Sequence, residues 1–346
     1  MNKKYTIKDI AQLAGVSKGT VDRVLHNRGK VSSKALDSIN QVLSEIDYQP
    51  NLIARNLKNN KTFHFCVILP DPEKDPFWAP CLVGIEQAIK EFKMYSLVID
   101  AFYFDPNSTD SFLAISKKVL TLNPDAVLLA PLFYQETKDV VADFYAQGIQ
   151  VTVFNTQVES DFIQSFVGQD LYLSGRVAAK LMNAMVDTGE ILIVHLDETY
   201  QNAVHMQEKE KGFRAYFDAK QNHGFDIRTL MLERITVEQQ LTEILNKKPH
   251  IAGIFVTTSK AYQVAKIIKK HHHKGLRIIG YDLIAANIEY MNDGVIEFLI
   301  HQKPKEQVYL AINALVEYFL FEKPIPSHKF LPIDIINTEN ASFYID

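Results

Sequence analysis

The residues best suited to chemistry fall into two groups. In the first, Lys18 and Arg23 lie in the segment KGTVDRVLHN, where Val21, Val24 and Leu25 share one apolar face and Lys18, Asp22, Arg23 and His26 fall largely on other faces. Cationic side chains on the solvent side of a helix can donate to guanine acceptors or to phosphate, so the chemistry on offer is nucleic-acid readout in a major groove. A small helical bundle with a solvated basic face has the same pattern. In the second group, Asp75, Phe77 and Trp78 follow one apolar strand-like run, Asp282 follows another and Gln302 a third. A carboxylate at a strand end can accept from two ligand hydroxyls. The two aromatics either stack on the apolar face of a sugar or form a core pair.

Other constellations carry less. Gly15-Val16-Ser17-Lys18-Gly19 fits the G-x-S-x-G nucleophile pattern, but that motif needs a strand before the turn and here a helix precedes it. No G-x-G-x-x-G or P-loop sequence occurs. His271-His272-His273 stands at a helix end without adjacent acids, and consecutive histidines cannot all face one ion, so no metal is expected. Asp197-Glu198 reads as a loop after a strand. These absences argue against an enzyme and against a cofactor.

The first group needs short helices to present it. Thr6 is a good N-cap, and Ile7, Ile10, Ala11 and Ala14 follow at helical spacing. Gly15 breaks that helix and Ser17 caps the next, giving two helices joined by a short turn with glycine in it, the helix-turn-helix unit. Ser32 or Ser33 caps a third helix carrying Leu36, Ile39, Leu43 and Ile46. Charge agrees: residues 1–61 hold 11 Lys/Arg against 5 Asp/Glu, net +6, while the rest hold 26 against 36, net −10, although the whole chain is only −4. A basic head on an acidic body is the footprint of a nucleic-acid-binding module tethered to something else.

The second group needs a different scaffold. After Thr62, nine apolar runs alternate with amphipathic stretches: Phe63–Leu69, Ser96–Phe102, Ala126–Ala130, Val151–Phe154, Ile191–His195, Ile227–Leu232, Ile251–Val256, Arg277–Gly280 and Val295–Leu299. Such alternation predicts parallel sheets covered by helices, with ligands bound beyond the carboxyl ends of the strands. The number of units exceeds one ordinary sheet and predicts two lobes. At 346 residues and 47% hydrophobic composition the core material is ample. No run reaches the roughly 18–20 apolar residues of a membrane span. MNKKYTIKDIAQLAG lacks the h-region of a signal peptide, and Cys66 and Cys81 read as reduced thiols, so a cytoplasmic chain is expected.

Over about 60 residues, TIKDIAQLAGVSKGTVDRVLHNRGKVS followed by IDYQPNLIARNLKNNKT resembles the DNA-binding head and hinge of the lactose-repressor (LacI/GalR) family. The resemblance implies backbone-positioning roles for Thr6, Ser17, Thr20 and Asn27, and variable base-reading positions at Lys18 and Gly19. It implies a guanine-reading role for Arg23, further DNA contacts from Lys30, Asn51 and Arg55, and a minor-groove wedge at Leu57 on a hinge helix that folds on the operator. Asp22 departs from the small hydroxyl residue usual there; it either accepts from cytosine N4 or repels phosphate. VGQDLYLSGRVAAKLM, IIGYDLIAANIEYMNDGVIEFLIHQKPKEQVYLAI and ENASFYI resemble the type-I periplasmic sugar-binding fold.

That resemblance implies three domains: 1–50 an all-α helix-turn-helix head, 51–61 a hinge, and 62–340 a two-lobed α/β body with parallel sheets. The first lobe is expected at about 62–157 and 292–323, the second at about 162–291 and 325–340. Effector contacts are implied for Asp75, Phe77, Trp78, Asn155, Gln207, Thr258, Asp282 and Gln302. Thr156 and Gln207 stand where the family commonly has arginines, so a less cationic pocket is expected. The implied partners are a pseudo-palindromic operator, a small sugar or sugar derivative, and a second copy of the chain, with a tetramer left open. A solute-binding protein for a transporter is the competing reading, and a sugar-processing α/β enzyme a third.

Overall fold

The computed structural model describes residues 5–25, 28–46, 61–196, 202–220, 224–233, 235–247, 250–271 and 275–345. The chain divides into two compact units, Met1–Asn59 and Asn60–Asp346.

The head contains α1 (Ile7–Leu13), α2 (Lys18–Leu25) and α3 (Ser33–Glu45). Thr6 and Asp9 form a full capping box at the start of α1: Asp9 N donates to Thr6 Oγ1 at 3.3 Å and Thr6 N to Asp9 Oδ2 at 2.8 Å. Gly15 takes φ +66°, the left-handed conformation that lets the chain turn into α2. Ser32 rather than Ser33 caps α3. The core is Ile10, Ala11, Ala14, Val21, Ile39 and Val42. Leu36, expected on the buried face of α3, is 40% exposed, and Val42 takes the inward position instead.

The body runs β1 (Phe63–Pro70), α4 (Ala79–Glu91), β2 (Leu97–Phe104), α5 (Thr109–Leu122), β3 (Ala126–Leu129), α6 (Tyr134–Ala146), β4 (Gln150–Phe154) and β5 (Ser165–Gly168). It continues with α7 (Leu171–Met185), β6 (Gly189–Leu196), α8 (Val204–Ala219), β7 (Phe225–Leu232), α9 (Val237–Lys247), β8 (Ile251–Val256), α10 (Ala261–Lys270) and β9 (Arg277–Tyr281). It ends with α11 (Ala285–Asn292), β10 (Phe298–His301), α12 (Pro304–Phe321), β11 (His328–Phe330) and β12 (Asp334–Ile336). Two six-stranded sheets result, ordered β11-β5-β4-β3-β1-β2 and β12-β10-β9-β8-β6-β7. All pairings are parallel except β12 with β10. The inner strands β1, β3, β6 and β8 are almost wholly buried, as sheets with helices on both faces require. Among the described residues no helix is long and apolar enough to cross a membrane.

The chain passes between sheets three times, each time later than the expected 157–161, 292 and 324. β5 still belongs to the first sheet, β10 to the second, and β11 to the first again. The crossovers therefore lie after Gly168, after His301 and between Phe330 and Asp334. The three strands absent from the sequence reading, β5, β11 and β12, flank two of these crossovers and have only three or four residues. Gln169, 1% exposed, ties the crossovers together: its Nε2 donates to His301 O at 2.9 Å and Pro332 O at 2.8 Å. Lys303 adds an ion pair to Asp334 at 2.8 Å between the second and third.

α7 and α8 pack backbone to backbone. A Cβ at Gly175 would stand 1.9 Å from Lys209 O, and one at Gly212 1.9 Å from Tyr172 O. This contact fixes where α8 presents its first two turns. Gly212→Ala is expected to destabilise the body by about 3 kcal/mol, because the methyl must displace main chain rather than a yielding side chain. Urea unfolding measures it, and an unchanged midpoint would contradict the close crossing.

Candidate functional site

In the head, Ser17 Oγ accepts from Thr20 N at 3.1 Å and shares a hydrogen bond with Thr20 Oγ1 at 2.9 Å, which fixes the start of α2. Lys18, Gly19, Arg23 and Lys30 are exposed. Arg23 Nε donates to Gly19 O at 3.1 Å, laying the guanidinium along the helix toward its N-terminal turn. A Cβ at Gly19 would meet nothing nearer than Ser17 Oγ at 3.8 Å. The fold does not require glycine there, although glycine inside a helix costs about 1 kcal/mol; the bare position suits close approach by another surface. The Thr6 hydroxyl is engaged in its capping box. Asn27, Asn51, Arg55 and Leu57 lie outside the described residues, as do Asp197, Glu198, His272 and His273.

In the body, an open cleft of about 410 Å³ is lined from the first lobe by Asp75, Phe77, Trp78, Leu132 and Asn155. His205, Lys209, Thr258, Ser259, Lys260 and Asp282 line it from the second lobe, and Gln302 from the second crossover. Nearly all stand just beyond the carboxyl ends of β1, β3, β4, β8, β9 and β10, where parallel sheets bind ligands. Seven of the eight expected body residues thus come together. Gln207 does not: His205 and Lys209 are one helical turn apart and face the cleft, so the residue midway between them on α8 points elsewhere. Phe77 and Trp78 satisfy both readings. They form an edge-to-face pair 4.8 Å apart in the first-lobe core and also wall the cleft.

Asp282 is the most constrained group. It holds φ +68°, is 2% exposed, and receives Gln302 N at 3.0 Å on Oδ1 and Gln302 Nε2 at 2.6 Å on Oδ2. Burial pushes its carboxyl up to about 6, against the opposing pull of Lys209. Asn287 braces the loop, donating to Ser259 O, Tyr281 O and Asp282 O at 2.7, 2.9 and 3.0 Å. Asn155 takes φ +70° and its buried Nδ2 has no hydrogen-bond partner, a donor that a ligand oxygen would satisfy.

The sequence reading missed Lys209. It is 1% exposed, donates to Thr257 O at 3.0 Å and lies 3.7 Å above the Tyr281 ring. With Lys260 it makes the cleft more cationic than Thr156 and Gln207 suggested. Its spacing from His205, one turn along α8, was the available signal. Beneath it runs a relay: Thr257 Oγ1 meets His195 Nδ1 at 2.7 Å, His195 Nε2 meets Glu210 Oε2 at 2.7 Å, and Arg214 Nε donates to Glu210 Oε1 at 2.7 Å. A hydroxyl, an imidazole and a carboxylate in series are the parts of an acyl-transfer triad. Here Thr257 is fully buried and does not line the cleft, so the relay is structural. Burial raises the Glu210 carboxyl, but hydrogen bonds from His195, Thr229 and Arg214 outweigh it and hold the group at about 2. Among the described residues no cluster of three metal-ligating side chains occurs.

Residues 65–323 match the profile of the periplasmic binding protein domain, and residues 6–51 that of the lacI family of bacterial regulatory proteins. The ribose operon repressor of Lactococcus lactis is 25% identical over 289 residues, 80% of each chain. The NTD biosynthesis operon regulator NtdR of Bacillus subtilis is 27% identical over 286 residues, 80% of this chain and 82% of that one. A Bacteroides fragilis structure described as a LacI transcriptional regulator superposes with a TM-score of 0.75 at 26% identity, covering 82% of this chain and 100% of that one. An arabinose-bound transporter solute-binding protein from Burkholderia graminis reaches 0.74 at 17% identity and shares the fold.

His195→Ala removes one partner each from Thr257 and Glu210 and is expected to cost about 3 kcal/mol in urea unfolding. The Glu210 contribution to stability is present above about pH 4.5 and lost as pH falls toward 2, so Glu210→Gln should flatten the acid limb of the stability curve.

Proposed function

We propose that this chain, whose body belongs to the periplasmic binding protein family and whose head matches the lacI family of bacterial regulatory proteins, is a sugar-responsive DNA-binding transcriptional regulator that binds DNA and ligand as follows. The head reads a pseudo-palindromic operator through Lys18, Gly19 and Arg23, with Ser17, Thr20 and Lys30 on the backbone. Asn27, Asn51, Arg55 and Leu57 complete the interface, Leu57 as an apolar wedge in the minor groove. The effector is a sugar or sugar derivative seated between the lobes. Its hydroxyls bind Asp282 and Gln302, its apolar face meets Phe77 and Trp78, and an oxygen accepts from Asn155. Binding favours one relative angle of the lobes, and that preference shifts the population of the operator-binding form. The observation that carries this reading is one chain holding both an exposed basic recognition helix and a strand-end cleft with a doubly hydrogen-bonded carboxylate. The body binds its ligand without turning it over.

A single head reads too few base pairs, so the chain acts as a homodimer. The edge strand β2, with Val98 45% and Tyr103 41% exposed, and the outer face of α4, with Val83 46% and Ile89 44% exposed, suit the partner copy.

Fluorescence anisotropy with a palindromic duplex is expected to show tight, steeply salt-dependent binding that a sugar modulates; no preference over random duplex would overturn the reading. Leu57→Ala should weaken operator binding while the body stays folded. Val98→Lys should give monomers in sedimentation and weaken operator binding roughly a hundredfold. Asp282→Asn should lose about tenfold or more in effector affinity while keeping DNA binding. Because Asp282 protonates near 6, losing acceptor capacity, wild-type effector affinity should fall as pH drops below that value, and the variant should lose this dependence.

A further inference from the structure

A second open recess, a chamber of about 440 Å³ counting the space open to solvent, lies against the first crossover and the edge strand β11. Its lining residues neighbour those of the cleft along the chain. Thr156 follows Asn155 in the wall, and Val204 and Glu208 precede His205 and Lys209 on successive turns of α8.

Its lining combines an aromatic platform with planar polar groups. Phe330 is 51% exposed and is braced from behind. The His328 ring stacks on it at 5.7 Å and 15°, and Phe166 lies 5.9 Å away. Gln157 Nε2 donates to His328 Nε2 at 3.1 Å. Glu208 contributes a carboxylate. Gln169 contributes an acceptor in deficit: its amide protons are committed to the crossovers, and its buried Oε1 has no partner. A buried carbonyl oxygen without a donor is costly, and a ligand hydroxyl would satisfy it. No Lys, Arg or His lines the chamber, which carries Asp170 and Glu208, so it rejects phosphate.

We propose that this chamber is a subsite for a second, uncharged sugar ring, so that the effector is a glycoside of at least two rings with one ring in each chamber. The proposal rests on the sugar reading of the first cleft. The second ring lays its C–H face on Phe330 and directs hydroxyls to Gln169 Oε1, Gln157 and Glu208.

Isothermal titration and thermal shift of the full chain test this with glucose, galactose, fructose and ribose set against sucrose, maltose, trehalose, lactose and cellobiose, and against glucose 6-phosphate. At least one disaccharide should bind about tenfold or more tighter than its component sugars. Phe330→Ala and Glu208→Gln should abolish that gain, bringing the disaccharide down to monosaccharide affinity, and Phe330→Tyr should restore it. Monosaccharides binding as tightly as every disaccharide would overturn the subsite and leave the proposed function standing. So would a Phe330→Ala variant that weakens both classes alike, or neither. If no sugar of either class raises the melting temperature, the sugar reading itself falls, and the subsite with it.

Discussion

The geometry of the body depends on how three chain crossings are held to one another. Gln169 does this with a single carboxamide, donating across to the ends of both other crossovers from a site with almost no solvent exposure. Water cannot compete there, so the two hydrogen bonds hold the crossovers firmly to one another. Gln302, which follows His301 directly, clasps Asp282 with backbone and side chain together. The ligand-facing carboxylate is thus positioned by the same segment that joins the lobes. On the proposed reading, a ligand held by Asp282 acts directly on the segment that joins the lobes.

Electrostatics in the cleft are balanced within the second lobe. Lys209 is buried, yet its ammonium has a carbonyl, an aromatic face and the field of Asp282 to offset the loss of water. Asp282 has two donors from Gln302 and still stands above the ordinary carboxylate range, because burial outweighs them. The unpartnered Asn155 Nδ2 leaves the first lobe with a donor to fill and the second with an acceptor that gains from further donors.

Sequence periodicity locates the strand ends, and with them Asp75, Asp282 and Gln302, because a residue just past an apolar run of a parallel sheet has nowhere else to go; Asn155 and Thr258 came from the resemblance. It fails where tertiary contact decides. Lys209 sits in the stretch QEKEKGF, whose charges read as a solvated face; its burial follows from the α7–α8 contact at Gly175 and Gly212 and from the Tyr281 ring, all distant in sequence. β5, β11 and β12 are too short to show alternation, so the lobe boundaries drawn without them fell early. Leu36 and Val42 exchange roles on α3 because both fit a helical apolar face, and only packing against α1 and α2 chooses between them.

The threefold crossing also orders events on the ribosome. The first lobe needs α12 to complete its core and β11 to finish its sheet, and the second needs β10 and β12, so the first cannot close before about residue 330 nor the second before about residue 336. The head, built from contacts within some forty residues, needs nothing downstream. During synthesis the basic module can be folded while its acidic body is still an open chain. A message truncated late in the gene would therefore release a folded head on an unclosed body, exposing apolar strands that invite aggregation or proteolysis.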